Sequence, residues 1–422
     1  MHTKFIRSVL PAALFLTLLP ARAHTVERPV KASVSIEEFD SLSSDVDKIK
    51  KHLSLRDRVH LGGYGEVIFN YDFSSKRTGI SELGDGGIGL GKALEDAPRH
   101  GSLNVPRAVI MLGVYLGKGW GMETDVQIEN CTSVSLDQFW IEKQFRPEAC
   151  LRAGYLTLPV GATNAHDDPL EFFAVNRPEA EDGILPCDWH QSGLSFFGEA
   201  GVWSYEGIVI PGLATSLFNG DRWLIPEDES GLFDYSAGNE IAFAGRVDNR
   251  SAEGLRLSVS GYWGASLNNR LIHPDGKRER VRGTVGFLSF DFCYEDYGWA
   301  LRGNGNWGRY SKVLDRDGAH YRSGAESAFS AAFEGGYDLL RFKPSTDQRL
   351  YLFGRYDYWE PADPDDSFLG YGWGERQRVA AGLNYFPIDR VVVKAQYSHT
   401  FTAGGGGIPM VSVGIAYSGQ FF

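Results

Sequence analysis

The stretch VSVGIAYSGQFF, residues 411–422, decides the fold of this chain. Apolar side chains occupy every second position from 411 to 417, and small or polar side chains lie between them. Because alternate side chains of a β-strand point to opposite faces, this pattern predicts a strand with one apolar and one polar face. The same alternation recurs in residues 66–73 and 329–338, so it describes a repeating element rather than a single strand.

The first 23 residues indicate export from the cytoplasm. Lys4 and Arg7 precede an apolar run over 9–19, and Ala21-Arg22-Ala23 follows as a small-residue cleavage site. The run contains Pro11 and falls short of the roughly 20 residues that a membrane helix needs. We therefore interpret residues 1–23 as a cleaved signal peptide. Its removal takes away three basic residues and no acid, so the formal charge changes from −12 to −15.

Composition favours a membrane protein that crosses the bilayer with strands. The chain has 51 glycines, 13% aromatic residues and a mean hydropathy of −0.24, and the mature part has no apolar run long enough for a spanning helix. In lipid only a helix or a closed sheet pairs every backbone polar group. The predicted fold class is therefore all-β, a transmembrane antiparallel barrel. The four cysteines are too few for a disulfide scaffold, and Cys131 with Cys187 is the one pair that this topology places on the same side.

Residues 24–58 form a separate segment, which we assign to the periplasm. Within it, residues 36–53 carry apolar side chains at spacings of three and four between charged ones, the pattern of a short heptad helix. The apolar seam consists of Ile36, Phe39, Leu42, Val46, Ile49 and Leu53. About two and a half heptads are marginal alone, so the seam joins several chains, packs beneath the barrel, or belongs to a frayed helix.

From residue 59 onward the alternation predicts sixteen strands, so residues 59–422 are assigned to the barrel. The predicted ranges are 59–73, 103–116, 120–129, 134–145, 150–160, 191–198, 203–213, 239–249, 254–266, 281–294, 298–309, 326–339, 349–359, 374–386, 389–400 and 409–421.

The predicted connections are asymmetric. Those after even-numbered strands are short, such as 117–119 and 146–149, whereas most of those after odd-numbered strands are long, such as 74–102 and 161–190. Short turns at one end and long loops at the other are typical of outer-membrane barrels. Barrels of 16 to 18 strands are also the ones that enclose an aqueous channel.

Several segments resemble a known family. They are RAGYLTLPVG at 152–161, LYLFGRY at 350–356, and AGLNYFP at 381–387 leading into VVVKA at 391–395. Together they resemble the phosphate-selective porin family, particularly its Bacteroidetes-type members, over essentially the whole mature barrel. The resemblance implies a sixteen-stranded, trimeric outer-membrane porin. It does not by itself imply phosphate selectivity, and a mature charge of −15 argues against a strong preference for phosphate.

The loop over 163–190 is the best candidate for a pore constriction, because charges at a constriction decide which ions pass. Its apolar side chains, including Phe172, Phe173 and Trp189, are suited to pin it against the inner wall. The alternative is an ordinary solvated surface loop. The candidate constriction residues are Asp167, Asp168, Glu171, Arg177, Glu179, Glu181 and Asp182.

Alternation also divides the inward side chains into two groups. The early strands project acids, and the later strands project bases that could host an anion path. The predicted acidic wall consists of Glu66, Asp72, Glu123, Asp125, Glu129, Asp137 and Glu142. The predicted basic wall consists of Arg246, Arg256, Arg302, Arg355, Arg378 and Lys394. Opposed walls of this kind would set up a field across the pore.

Motifs of other function classes are incomplete. The glycine-rich run 84–92 nearly forms a phosphate loop, but Ala93 stands where a magnesium-binding Ser or Thr is needed. There is no serine elbow, HExxH or cysteine-histidine zinc pattern, which leaves His166 and His190 as a weak lipase-like alternative.

The sequence thus predicts a passive porin rather than an enzyme, located in the outer membrane of a Gram-negative bacterium. Its expected partners are outer-membrane lipid, small hydrophilic solutes or ions, and two further copies of itself in a homotrimer. We expect no cofactor, no metal and no nucleic-acid partner. The alternative function is a structural or surface-interaction barrel whose lumen is closed by loops.

Overall fold

The computed structural model describes residues 58–73, 101–185, 188–212, 241–265, 269–272, 278–281, 284–310, 327–343, 346–360, 375–402 and 407–421. The chain divides into two units, 1–49 and 50–422, and the first lies wholly outside the described residues. The predicted signal peptide, the heptad seam and Cys187 fall there or in the other gaps.

Nineteen strands and two short helices make up the described part. The strands are β1 (Val59–Asp72), β2 (Gly101–Asn104), β3 (Arg107–Gly117), β4 (Trp120–Glu129), β5 (Ser133–Arg146), β6 (Ala149–Thr157), β7 (His190–Ala200), β8 (Trp203–Pro211), β9 (Ile241–Ala252), β10 (Leu255–Ala265), β11 (Asn269–Ile272), β12 (Arg278–Val281), β13 (Thr284–Asp296), β14 (Trp299–Tyr310), β15 (Ser327–Asp338), β16 (Arg349–Glu360), β17 (Arg376–Ile388), β18 (Val391–Thr402) and β19 (Gly407–Gln420). The helices are α1 (Ala162–Ala165) and α2 (Glu179–Asp182). Among the residues described, no helix is both long and apolar enough to cross a bilayer.

The sheet closes on itself. Sequential strands pair in antiparallel fashion around the barrel, and β1 pairs with β19 from Gly62 opposite Gln420 to Asp72 opposite Met410. β2 and β3 both pair with β1 and form a single crossing, interrupted beside Pro106, which has no N–H for the ladder. β11 and β12 form a separate hairpin between β10 and β13. The prediction of a closed antiparallel barrel of about sixteen strands is therefore confirmed.

The two faces of the strands are as different as the alternation predicts. In β15, Phe329 and Phe333 are exposed on the outside, whereas Ser330 and Glu334 are buried on the inside. Exposed tryptophans begin β4, β8 and β14, each directly after a two-residue turn. Such a row of aromatic side chains is the girdle that outer-membrane barrels place at the lipid–water boundary.

The connections also agree with the predicted asymmetry. Two residues join β3 to β4, β7 to β8 and β13 to β14, whereas the segment between β6 and β7 is more than thirty residues long. The predicted fifth strand, 150–160, is too long by about three residues. The reason is that β6 ends at Thr157, after which Leu158 still donates to Trp189 O but Pro159 has no N–H to continue the ladder.

The tight turn between β3 and β4 offers a test of how the strands of the barrel are connected. Lys118 and Gly119 both have positive φ, 54° and 75°, as a two-residue type I′ turn requires. A Cβ at position 119 would lie 2.4 Å from Gln144 O. We expect Gly119→Val to destabilise the barrel by at least roughly 1–2 kcal/mol, because the left-handed conformation disfavours branched side chains.

The measurement is the fraction of refolded protein that shows heat-modifiable mobility in electrophoresis. Lys118→Gly is the matched control, because glycine adopts positive φ readily and should refold at least as well as the parent. Equal refolding of Gly119→Val and the parent would contradict the assignment of this turn.

Candidate functional site in the barrel lumen

Between β6 and β7, the described residues 158–185 and 188–189 lie inside the barrel, and we call them the lumen loop. Its two ends are apolar: Leu158, Val160 and Trp189 are fully buried. They pack with inward side chains of β8, β9, β10 and β13, and the Trp189 ring centroid lies 4.9 Å from that of Tyr262 on β10. Burial of these side chains fixes both ends of the loop against one side of the wall.

Opposite this anchor, residues 172–176 are held by wall side chains through the loop backbone. Lys394 Nζ donates to the carbonyls of Phe172 and Ala174, at 2.8 and 2.9 Å. Phe173 N donates to Glu334 at 3.2 Å, and Asn384 Nδ2 donates to Phe173 O at 3.0 Å.

Two further contacts dock the loop, a hydrogen bond to β18 and the packing of a ring against a glycine of β15. Val175 N donates to Gln396 Oε1 at 2.9 Å, so successive backbone groups of the buried segment find polar partners, as buried backbone must. The Phe173 ring lies against Gly336, where an added Cβ would approach it to 2.5 Å.

A buried charge network ties the loop to the first strands. Arg177 makes two hydrogen bonds to Asp188, at 2.9 and 2.7 Å, and Arg107 of β3 lies 3.7 Å from the same carboxylate. Both arginines also pair with Asp167, to which the Tyr64 hydroxyl donates at 3.1 Å. Burial opposes ionisation of Asp188, but the charges of Arg177 and Arg107 outweigh it and hold its pKa well below the usual range. The network keeps the loop charged and fixed at neutral pH.

Three of the predicted constriction acids belong to α2, where Glu181 and Asp182 are buried and Glu179 is largely buried. Glu179 pairs with Arg378 of β17, and Glu181, 1% exposed, accepts from Thr163 N at 2.8 Å and from Asn304. Asp182 is 4% exposed. Burial raises the pKa of both Glu179 and Glu181, although their partners offset part of this effect. Glu179 and Glu181 hold the loop to the wall, and none of the three acids lines either of the two cavities of the lumen.

Two cavities lie between the lumen loop and the short-turn end of the barrel, and they adjoin at His166. The early-wall cavity, about 600 Å³, is lined mainly by β1, β3–β9 and the end of β19. The late-wall cavity, about 350 Å³, is lined mainly by β13–β17. Of the predicted constriction residues, Asp167 and Asp168 line the first and Glu171 the second, whereas Arg177 lines neither.

The two cavities differ in charge. Eight carboxylates and two arginines line the early-wall cavity: Glu123, Asp125, Asp137, Asp167, Asp168, Asp188, Glu206 and Asp248 with Arg152 and Arg246. Five carboxylates and four arginines line the late-wall cavity: Glu171, Asp291, Glu295, Glu334 and Asp389 with Arg256, Arg302, Arg349 and Arg355. The early side is therefore strongly acidic, and the late side is nearly balanced.

The wall that carries the predicted basic residues also carries inward acids, which cancel much of its charge. Arg246 pairs with Asp248 and Asp291, both at 2.8 Å, and Arg256 lies 3.9 Å from Asp291.

The remaining bases are paired as well. Arg355 pairs with Asp357 at 2.6 Å and with Glu334 at 2.8 Å, and Arg302 pairs with Glu334 and Glu295. Arg378 forms an ion pair with Glu179 of the lumen loop, and Lys394 donates hydrogen bonds to two carbonyls of the loop. The two-residue period places Asp248 and Asp357 on the same faces as their arginines, so the sequence carried the signal.

The predicted acidic wall contains bases that the sequence analysis missed. Arg107 on β3 pairs with Glu66 at 3.3 Å, and Arg152 on β6 pairs with Glu142 at 3.1 Å. Asp137 lies 3.3 Å from His190 Nε2. Glu129 accepts from Gln127. These partners leave Glu123 and Asp125 as acids of this wall with no ion pair within 4 Å among the described residues.

No family model matches the sequence. An uncharacterized protein of Aquifex aeolicus (strain VF5) is 23% identical over 375 residues, which cover 84% of this chain and 77% of the relative. Among solved structures, the outer membrane channel DcaP of Acinetobacter baumannii superposes with a TM-score of 0.54 at 12% identity, covering 86% of this chain and 97% of DcaP. OmpF of Salmonella typhi, solved with daunomycin, has the same TM-score and coverage at 9% identity.

The fold is that of the outer-membrane porins. At these identities the likeness concerns the fold alone, so the resemblance to the phosphate-selective family stays a prediction.

Substitution of Lys394 tests whether this buried lysine anchors the loop or acts as a charge that lines the pore. Because Lys394 bonds two loop carbonyls, Lys394→Met should leave both unpaired and weaken loop docking by roughly 3 kcal/mol. We expect larger and noisier single-channel currents in planar bilayers. Lys143→Met, at the turn end of β5, is the control and should leave the current noise unchanged. A quiet Lys394→Met channel whose only change is reduced anion permeability would show instead that Lys394 acts as a pore-lining charge.

Proposed function

We propose that the protein is a porin of a Gram-negative outer membrane, through which small hydrophilic solutes or ions diffuse passively. The observation that carries this proposal is a closed sixteen-stranded barrel whose lumen keeps two charged cavities beside an inward-folded loop. A barrel of this size encloses more space than its inward side chains fill. The fold shared with DcaP and OmpF supports the same function.

The charges of the lumen favour cations over anions. Both cavities are lined by more carboxylates than arginines, by six in the early-wall cavity and by one in the late-wall cavity, and Arg107 and Arg177, which lie outside the lining, offset part of the larger excess. A negative potential in a low-dielectric pore raises the local cation concentration and lowers that of anions. The proposed selectivity is therefore a weak preference for cations rather than for phosphate.

A second candidate function has its own support. The lumen loop contacts inward side chains of β1, β3, β10, β14, β15, β17, β18 and β19, and much of it is buried. A loop anchored this widely could close the lumen, which would make the protein a structural or surface-interaction barrel.

Conductance and reversal potential test both candidates. We expect conductance steps in planar bilayers and, under a KCl gradient, a reversal potential of the sign for cation preference. Glu171 is half exposed in the late-wall cavity, and its hydrogen bond from His166 and the nearby positive charges lower its pKa despite partial burial, so it is ionised at pH 7. Glu171→Gln should reduce the cation-to-anion permeability ratio by about twofold at low salt, and by less where the Debye length is shorter than about 10 Å.

Lys118→Gly, in the turn between β3 and β4, is the control for differences that arise from expression and refolding. Folded protein with heat-modifiable mobility but no conductance steps would favour the closed barrel. A wild-type channel that excludes cations and binds phosphate would reject the proposed selectivity.

We further propose a homotrimer in which the seam of Phe39, Leu42, Val46, Ile49 and Leu53 joins the chains. Replacing Val46 and Ile49 with lysine should weaken the oligomer by removing apolar contacts between helices. Chemical cross-linking of detergent-solubilised protein measures the effect, and heat-modifiable mobility checks that each barrel stays folded. An unchanged oligomer would show that the barrel walls alone hold it.

A further inference from the structure

We propose that the early-wall cavity contains a binding site for organic cations, solutes that carry an ammonium or guanidinium group. The site consists of Glu123 and Asp125 on β4 and Asp137 on β5. The inference rests on the proposed channel function and names the class of solute that the channel would take up.

The register of two neighbouring strands brings the three carboxylates together. Glu123 and Asp125 are two residues apart and share the inner face of β4, with Asp125 opposite Gln138. Between Gln138 and Leu136 the pairing shifts by one residue, so Asp137 is the extra residue of a β-bulge. Bulges redirect side chains, and this one turns Asp137 toward the same cavity.

Asp125 is buried without a counter-charge. It is 1% exposed, and Gln138 Nε2 donates to its Oδ2 at 3.2 Å, whereas its Oδ1 accepts no hydrogen bond from any described residue. The charged groups that act on it are Glu123 and Asp137, both negative. A buried carboxylate surrounded in this way is unfavourable in its charged form unless a cation joins it, and otherwise it takes up a proton.

In the described part of the chain, the bases nearest to the site form no ion pair with Glu123 or Asp125. Arg152 pairs with Glu142 and lies over the Trp140 and Phe197 rings, 4.1 and 4.4 Å from their centroids. His190 contacts Asp137 and is stacked with Tyr155. By contrast, the buried acids of the late strands, such as Glu334, have arginine partners. A cationic solute would supply the positive charge that Asp125 lacks among the described residues.

The donor set suits an organic cation better than a metal ion. Within the described ranges, no group of three or more His, Cys, Asp or Glu side chains could hold a metal. An ammonium carries three N–H donors and a guanidinium five, and these can reach carboxylates spaced too widely for metal coordination. The cavity of about 600 Å³ has room for a small organic molecule, and Met111 and Tyr64 in its lining offer apolar surface to a methylene chain.

The probe for this site is 1,5-diaminopentane added to a single channel in KCl. We expect it to interrupt the ion current, because an occupied site obstructs the path along the early wall. In the double variant Glu123→Gln, Asp125→Asn the apparent affinity should fall about tenfold, which corresponds to about 1.4 kcal/mol. The uncharged analogue 1,5-pentanediol should not block the wild-type channel.

Asp347→Asn is the matched control, because it removes one exposed carboxylate from the turn between β15 and β16, outside both cavities, and should leave the block unchanged. Heat-modifiable mobility checks that the double variant is folded, and Glu123→Gln alone replaces it if it is not. Equal block of wild type and folded variant, or equal block by pentanediol, would overturn the site.

Failure of the channel function itself is distinguishable. If the wild type shows no conductance steps, calorimetric titration of detergent-solubilised protein with diaminopentane still measures the site. Binding that is lost in the variant would support the cation site while rejecting the open channel. Absence of binding would overturn the site as well.

Discussion

The pairing of β1 with β19 is the interaction on which the rest of the structure depends. In lipid an open sheet edge would expose unpaired N–H and C=O groups, so a sheet can cross only when its first and last strands join. Eleven consecutive residue pairs make that joint, from Gly62 with Gln420 to Asp72 with Met410. Closure separates an outside that must be apolar from an inside that is free to be polar. Every inward carboxylate and arginine discussed above is possible only because of this separation.

Closure also creates a second problem, which the interior solves by pairing charges. Inward side chains such as Arg246, Asp291, Glu334 and Arg355 are at most 9% exposed. Charges in such places are tolerated when each has an opposite partner, because an unpaired buried charge loses its hydration without compensation. Arginines and carboxylates accordingly alternate across β9, β13, β15 and β16. In the described part of the lumen most charged side chains form ion pairs, and acids such as Glu123 and Asp125, which form none there, contribute most to its net negative potential.

The lumen loop connects these two features to function. Its backbone polar groups form hydrogen bonds with four side chains that would otherwise face open space, those of Lys394, Asn384, Gln396 and Glu334. Wall residues thus act as anchors for the loop, and the loop decides which acids remain accessible. In this arrangement the acids of α2 line neither cavity, whereas Glu171 lines the late-wall cavity and eight other carboxylates line the early-wall cavity. In the proposed channel, selectivity would depend on how the loop is docked as much as on how many charges the strands carry.

The sequence by itself determined the barrel. A two-residue alternation needs no knowledge of distant contacts, because it follows from the geometry of a single strand between lipid and water. For that reason the sixteen crossings, the short turns and the inward position of Arg246, Arg355 and Asp125 were all predictable. The two-residue alternation is insufficient where a strand contains an extra residue, as at the bulge of Asp137, or where a proline ends the hydrogen-bond ladder, as at Pro159.

Only the tertiary structure decided the partners. Lys394 and Phe172 are 222 residues apart, and Arg107 and Asp167 are 60 apart. No local pattern shows that one lysine anchors a loop while Asp125 lies unpaired. Which charges cancel depends on barrel closure and on the path of the lumen loop, because an ion pair depends on distances of a few ångströms between segments far apart in sequence.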